Sequence, residues 1–262
     1  MAYTDNGKLR VVYGDYVLGV HGKGFDYTFS YAQGGLESIV KNGYEWLYRC
    51  PKPTFWRALT DNDRGSKFHI KSGSWMAADT FIDCQNVEVI MDGEMQKQYA
   101  PDNNIYEGDV SADEIIVKFT YKTISNPSAT VLVSYTVTGN GKIRVDVEYH
   151  GVKGLPELPV FGMRFIMPTL ADSYMYEGLS GETYPDRKAG AVKGVYQVND
   201  LSPTPYLVPQ DCGMHMDTDW LEVTRYTSLD NSRRDYSLQI LKIEKNRRAV
   251  CFFLPAIYSR RD

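Results

Sequence analysis

Histidine and cysteine are both scarce in this chain of 262 residues, with four of each. His21, His69, His150 and His215 lie far apart, and no two have the spacing of metal ligands. Cys50, Cys84, Cys212 and Cys251 stand singly, so there is no CxxC pair for a metal or for redox exchange. No apolar run approaches the roughly 18 residues of a membrane helix. No apolar segment near the N-terminus resembles a signal peptide. Nucleophile-elbow, P-loop, HExxH and dinucleotide fingerprints are absent. Positive charge is also in deficit. The net charge is −4 with a pI near 5.6, which argues against a nucleic-acid partner and against docking on an anionic membrane. The expectation is a cytoplasmic protein with free thiols.

What the chain has is tyrosine and alternation. Aromatics reach 13%, with 20 Tyr, and hydrophobic residues 43%, enough for a sizeable core. Tyrosine suits half-buried strand positions, and its flat face with a hydroxyl also suits sugar surfaces. Strands are predicted at Arg10–Tyr13, Tyr16–Val20, Phe25–Tyr31, Leu36–Val40 and Tyr44–Tyr48. The last two flank Asn42-Gly43, a hairpin signal because a type I′ turn needs positive φ at both central residues. Pro51 and Pro53 are expected to break the sheet pattern. Ser66–Thr80 reads as loop, with a helix conceivable only at Trp75–Phe81. Further strands are predicted at Val87–Met91, Ile115–Ile124, Ala129–Thr138 and Lys142–His150, the last three as an antiparallel meander. Val160–Met167, Gly194–Val198, Pro205–Val208, Trp220–Tyr226, Tyr236–Ile243 and Ala249–Tyr258 follow, with Met95–Gly108 irregular and Tyr174–Arg187 turn-rich. The predicted class is all-β and antiparallel: one domain over residues 1–262, with roughly fifteen short strands in a large two-sheet sandwich.

One stretch stands out against this pattern, Phe55–Gly65, reading FWRALTDNDRG. Asp61 and Asp63 are a local carboxylate pair. If extended they would share a face about 7 Å apart, and glycoside hydrolysis needs two carboxylates, one acid and one nucleophile or base. The other reading is structural: the carboxylates bond nearby N–H groups and pair with Arg57 and Arg64, and so brace a loop. Phe55 and Trp56 would be buried anchors, and Gly65 would supply backbone freedom at the loop root. Trp56, Trp75 and Trp220 are each either core or a sugar-stacking platform.

The stretch TFWRALTDNDRG (Thr54–Gly65) closely resembles the signature of the C-terminal β-sandwich domain of glycoside hydrolase family 2 β-galactosidases, which in some bacteria is a separate small subunit. GLSGETYPDRKAGAVKGVY (Gly178–Tyr196) and YLVPQDCG (Tyr206–Gly213), followed by Trp220-Leu221-Glu222-Val223, resemble further family motifs in the family's order, and GGLESIVKNGYEWL fits the domain's start. The resemblance implies a galactose-mutarotase-like β-supersandwich. It implies a lactose-cleaving, retaining parent enzyme, with both catalytic glutamates in the barrel of a larger partner chain. It implies no catalytic residue, metal ligand or cofactor here, any Mg²⁺ or Na⁺ belonging to the whole enzyme. Arg57, Asp61, Asn62, Asp63, Arg64 and Gly65 would form a loop at the galactoside site, with a mobile gate starting at Gly65. The chain departs from the family at Ser180–Thr183, and at Asp211, Cys212, Met214 and His215, where Glu, Asn, Asn and Arg are frequent. The family domain also continues past the strand matched by Ala249–Tyr258 to a substrate-stacking tryptophan. The sandwich is therefore expected to lack its final strands, and no residue here matches that tryptophan. Two other functions compete: a stand-alone carbohydrate-binding module, and a mutarotase-like epimerase drawing on His150 or His215.

Overall fold

A computed structural model describes residues 7–96, 110–181, 188–201, 205–227 and 239–245. The chain forms two compact units, each assembled from separated segments: Pro53 and what precedes it with Ala77–Leu155, and Thr54–Met76 with the chain from Pro156 onward.

The first unit contains β1 (Leu9–Tyr13), β2 (Val17–Gly22), β3 (Phe25–Ser30), β4 (Gly35–Lys41), β5 (Tyr44–Glu45), β6 (Arg49–Thr54, whose last residue enters the second unit), β7 (Asp83–Met91), β8 (Glu94–Met95), β9 (Val110–Ala112), β10 (Glu114–Lys122), β11 (Thr130–Thr138) and β12 (Ile143–His150). One antiparallel sheet runs β5-β4-β3-β2-β1-β9 and a second runs β12-β11-β10-β7-β8. The period-2 pattern explains why these residues form strands. Ile115, Val117, Phe119 and Tyr121 on β10 are fully buried, as are Val131, Val133, Tyr135 and Val137 on β11. The two sheets close on each other where Phe29 meets Tyr135 edge-on, with ring centroids 5.6 Å apart. The Tyr27 hydroxyl also donates to the Gly141 carbonyl at 2.6 Å. The predicted meander of β10, β11 and β12 is present, and the Asn42-Gly43 turn has φ of 51° and 80° as a type I′ turn requires.

Two expectations for this unit need correction. Pro51 and Pro53 do not end the sheet pattern; they lie inside β6. Standing two residues apart, they leave their missing N–H groups on the same edge of the strand, where one unpaired edge tolerates both. The strand expected at Tyr44–Tyr48 stops after Glu45. The Glu45 carboxylate accepts the backbone N–H groups of Ile39, Trp46 and Leu47 at 3.0, 2.9 and 2.8 Å. That turns the chain and buries both Trp46 and Leu47. Strand β9 had no sequence counterpart.

The second unit holds two short helices, α1 (Asp61–Gly65) and α2 (Phe68–Lys71), a 3₁₀ turn at Gly73–Trp75, and β13 (Gly162–Ile166), β14 (Ser173–Leu179), β15 (Lys193–Val198), β16 (Trp220–Arg225) and β17 (Gln239–Glu244). Its main sheet runs antiparallel in the order β15-β14-β16-β17. Residues 61–75 are therefore a series of helical turns, and the conceivable helix at Trp75–Phe81 is absent. The segment expected to be turn-rich supplies β14, an interior strand of the sheet. The strand carries glycine at position 178, where a Cβ would come within 3.1 Å of the Thr218 hydroxyl and 3.2 Å of the Met216 carbonyl. Pro205–Val208 forms no strand, and Leu207 points wholly into solvent. The predictions at Ala249–Tyr258 and at residues 182–187, and most of Met95–Gly108, fall outside the described residues. Among the described residues the architecture is all-β and antiparallel, and no helix is long and apolar enough to cross a membrane.

Two tyrosines of the first unit give a paired prediction. The Tyr121 hydroxyl donates to the Gly34 carbonyl, whereas the Tyr135 hydroxyl is buried with no partner among the described residues. Burial pushes both phenols well above their ordinary pKa, so both remain donors. Tyr121→Phe is expected to cost about 1 kcal/mol and Tyr135→Phe nothing, or to stabilise slightly. Denaturant unfolding checks the order; a larger loss at Tyr135 would contradict it.

Candidate functional site

The site begins on a buried aromatic base. Phe55 is fully buried and stacks on Trp75 at 5.4 Å between centroids, with Phe161 tilted against it at 5.9 Å. The Trp75 indole N–H donates to the Pro156 carbonyl at 3.0 Å. Trp75 is thus a core residue, out of reach of any sugar, and it takes the anchoring place expected of Trp56, which is only half-buried. Arg164 steadies the same strand end by donating to the Thr54 hydroxyl at 2.9 Å and to the Trp56 carbonyl at 3.0 Å.

From this base the chain reaches Arg57, whose guanidinium grips Asp63 with both terminal nitrogens, Nη1 to Oδ2 at 2.6 Å and Nη2 to Oδ1 at 3.2 Å. The two side chains are 10% and 11% exposed, so this is a nearly buried bidentate pair. The remaining guanidinium donors go to the Pro159 carbonyl at 3.3 Å and the Ala58 carbonyl at 2.9 Å. Asp63 does a second task. Thr60 is the N-cap of α1: its hydroxyl accepts the Asp63 N–H at 3.1 Å, and the Asp63 carboxylate accepts the Thr60 N–H at 2.8 Å. That is a capping box with aspartate in place of glutamate. Both carboxylate oxygens of Asp63 are committed. Burial pushes its pKa up, but the Arg57 and Thr60 hydrogen bonds outweigh burial and hold it below the usual carboxylate range.

Asp61 is different. It is exposed and pairs with Arg64 one turn on, at 2.5 Å. Helical residues two apart point about 200° away from each other, so Asp61 and Asp63 do not share a face. The paired acid and base envisaged for an extended chain therefore do not exist, and the bracing reading describes the geometry. Asn62 is exposed on the outer side of α1. Gly65 has no left-handed φ, and a Cβ there would meet nothing within 4 Å. The bend instead falls at Lys67, with φ of 57°.

A second segment, more than 140 residues on, holds the turn from outside. The Asp211 N–H donates to the Leu59 carbonyl at 3.0 Å, and Gln210 Oε1 accepts the Asp61 N–H at 3.1 Å. Arg64 donates to the Pro209 carbonyl. The sequence marked YLVPQDCG as a motif, but nothing local to it names its partner. Pro159, Arg164 and the 209–211 strap are the residues that sequence reasoning missed, since only the fold brings them to Arg57 and Thr60. Asp211 adds a second carboxyl near Arg57. Its Oδ2 is buried without a hydrogen-bond partner among the described residues, and burial, reinforced by the charge of Asp63, raises its pKa despite Arg57.

Of the two histidines considered for epimerase chemistry, His215 is held on both ring nitrogens. His215 Nδ1 lies 2.9 Å from the Gly181 carbonyl, and its Nε2 lies 2.7 Å from the Tyr174 hydroxyl. His150 sits exposed beside Glu148. Among the described residues no three His, Cys, Asp or Glu side chains converge as a metal site requires.

The all-β antiparallel strand order, with its most polar motif spent on a capped and internally saturated turn, places the chain in the class of β-sandwich proteins. Residues 21–249 match the family described as the β-galactosidase small chain, and the chain belongs to that family. It is 58% identical over 232 residues to the β-galactosidase small subunit of Latilactobacillus sakei, covering 88% of this chain and 73% of the relative. It is 37% identical over 196 residues to the β-galactosidase of Clostridium acetobutylicum, covering 74% of this chain and 20% of the relative. With the β-galactosidase of Streptococcus thermophilus the figures are 32% over 212 residues, 80% and 19%. The chain thus spans about one-fifth of the longer relatives and nearly three-quarters of the small subunit.

Thr60→Ala is expected to cost about 1 kcal/mol, and Asp63→Asn roughly 3 kcal/mol because it leaves a buried Arg57 charge uncompensated. Thermal unfolding at neutral pH checks the order. The pH dependence has two opposing parts. The Asp63 contribution is complete above the unfolded pKa near 3.8 and is lost as pH falls through its depressed folded value. Asp211, raised on folding, penalises the native state above its folded pKa, and that penalty fades as pH falls toward 3.8. Asp211→Asn is therefore expected to be neutral or stabilising at pH 7 and to flatten the mild-acid slope. A large loss of stability at pH 7 would contradict this.

Proposed function

We propose that this chain is the small subunit of a β-galactosidase, acting as one small-chain domain that completes the galactoside site of a larger catalytic chain without supplying a catalytic carboxylate. The saturated Arg57–Asp63–Thr60 constellation carries the reading. Its charges are spent on holding α1, so its role is to place a surface and not to transfer protons. The family match runs across both compact units, which supports treating them as one functional domain. The 58% identical relative that bears the small-subunit name supports the two-chain arrangement.

Within this reading Arg57 and Asp63 position the turn, while the exposed Asp61, Asn62, Arg64 and Gly65 form the edge that meets the sugar site. A loop leaving Gly65 bends at Lys67, and we assign any gate motion to that bend. The substrate is a terminal β-D-galactoside such as lactose. Any Mg²⁺ or Na⁺ of the assembled enzyme is assigned to the large chain. A cytoplasmic location is proposed on the free thiols of Cys50 and Cys84, neither of which is in a disulfide.

The test is reconstitution. The purified chain is titrated into the large β-galactosidase chain of the same organism, with lactose hydrolysis and complex formation followed together. Activity is expected to rise to a plateau at a fixed stoichiometry. No complex and no gain in hydrolysis would overturn the proposal, as would hydrolysis by this chain alone. In the reconstituted enzyme Asn62→Ala is expected to leave the stability of the small chain within about 0.5 kcal/mol and to change KM or kcat several-fold. Unchanged kinetics would remove α1 from the sugar site.

A further inference from the structure

Leu207 is the most exposed large apolar side chain among the described residues, at 102% of its reference area, and Val208 beside it is 49% exposed. A single exposed leucine on a mobile loop would mean little. This one sits on a stiffened strap. Val208 precedes Pro209, which restricts it to extended conformations by steric conflict with the proline ring. At the other end of the Tyr206–Val208 run, the ring of Pro205 fixes that residue's own φ at about −65°. Directly after Val208 the strap is fixed to the first helical turn of the site. Arg64 donates to the Pro209 carbonyl, the Asp61 N–H donates to Gln210, and the Asp211 N–H donates to the Leu59 carbonyl. The apolar pair is held in water at a set position, with its ordering cost already met within the chain. This is the preorganisation expected of an anchor that inserts into a partner.

We propose that Leu207 and Val208, presented by the Pro205–Asp211 strap, are the apolar anchor by which this chain docks onto the large catalytic chain. The inference rests on the two-chain reading above and names the contact that would serve it. The occupant follows from the lengths of the relatives. The matched region is only 20% of the Clostridium acetobutylicum enzyme and 19% of the Streptococcus thermophilus enzyme, yet it is a separate small subunit in Latilactobacillus sakei. The remaining four-fifths of the long enzymes is what such a separate chain must meet. The complementary feature is an apolar recess on the large chain, beside the exposed Asp61 and Asn62. Because the same strap clamps α1, docking there would set the position of the turn assigned to the sugar site.

The experiment compares the unaltered chain with Leu207→Asp, Leu207→Ala and Val195→Ser. Val195 is 58% exposed on β15, away from the strap in sequence, and serves as the control. Melting temperatures of the isolated chains are measured first; a side chain with no buried area is expected to leave them unchanged in both Leu207 variants, while Val195→Ser, in a strand and partly buried, is expected to lower its own slightly. Affinity for the large chain is then measured by titration calorimetry and by the concentration that restores lactose hydrolysis. Leu207→Asp is expected to weaken binding at least about tenfold and Leu207→Ala by a smaller factor, from loss of the leucine burial. Val195→Ser is expected to bind normally. Equal binding by the unaltered chain and Leu207→Asp overturns the anchor alone. A larger loss at Val195 than at Leu207 also overturns it and moves the interface to the β15 face. No binding by the unaltered chain overturns the two-chain reading, and the anchor with it.

Discussion

The second unit depends on one ion pair. Arg57 and Asp63 meet bidentately in a nearly water-free setting, and the same carboxylate caps the backbone of Thr60. Two charges removed from water carry a desolvation cost that attraction alone does not reliably offset. Here the cost is met by saturation: Arg57 also donates to the Pro159 and Ala58 carbonyls, and Asp63 accepts both the guanidinium and the Thr60 N–H. Satisfied in this way, the pair specifies one geometry. A helix of only five residues would be marginal by itself. With its N-terminus boxed by Thr60 and Asp63, and the 209–211 strap laid along it, it becomes a fixed feature on the aromatic base of Phe55 and Trp75.

That dependence separates the two aspartates by role. Asp63 is withdrawn from chemistry by its partners, and its lowered pKa makes it a poor proton donor. Asp61 is exposed, and its contact with Arg64 is a surface pair of the kind that contributes little to stability. The motif therefore consists of an inner half that fixes position and an outer half that lies at the surface. A chain with this arrangement suits the task of shaping a site whose reacting groups come from elsewhere.

Much of the first unit was legible in the sequence because its physics is local. β10, β11 and β12 alternate cleanly, and Asn42-Gly43 announces its own turn. The misses have equally physical causes. The reading of Tyr174–Arg187 as turn-rich rests on its Tyr184-Pro185-Asp186-Arg187 end and hides the strand at Ser173–Leu179, where Gly178 admits Thr218 and Met216. Glu45 ends its strand through three backbone contacts that no propensity records. At the site, the pairing of arginines with aspartates could be read from composition, and Thr60-x-x-Asp63 carries a capping pattern in plain sight. What could not be read is the long-range half: Pro159, Arg164 and Pro209–Asp211 reach the turn only through the fold, and Trp75 displaces Trp56 as the buried anchor for the same reason.

The central claim is that Arg57 and Asp63 act as one structural lock. A double-mutant cycle on unfolding free energy, with Arg57→Met, Asp63→Leu and the combined variant, measures their coupling directly. The account predicts that each single change is costly, that the double variant recovers much of the loss, and that the coupling is about 2 kcal/mol or more. Additive losses, with coupling near zero, would show that the two side chains do not act as a unit and would contradict the account.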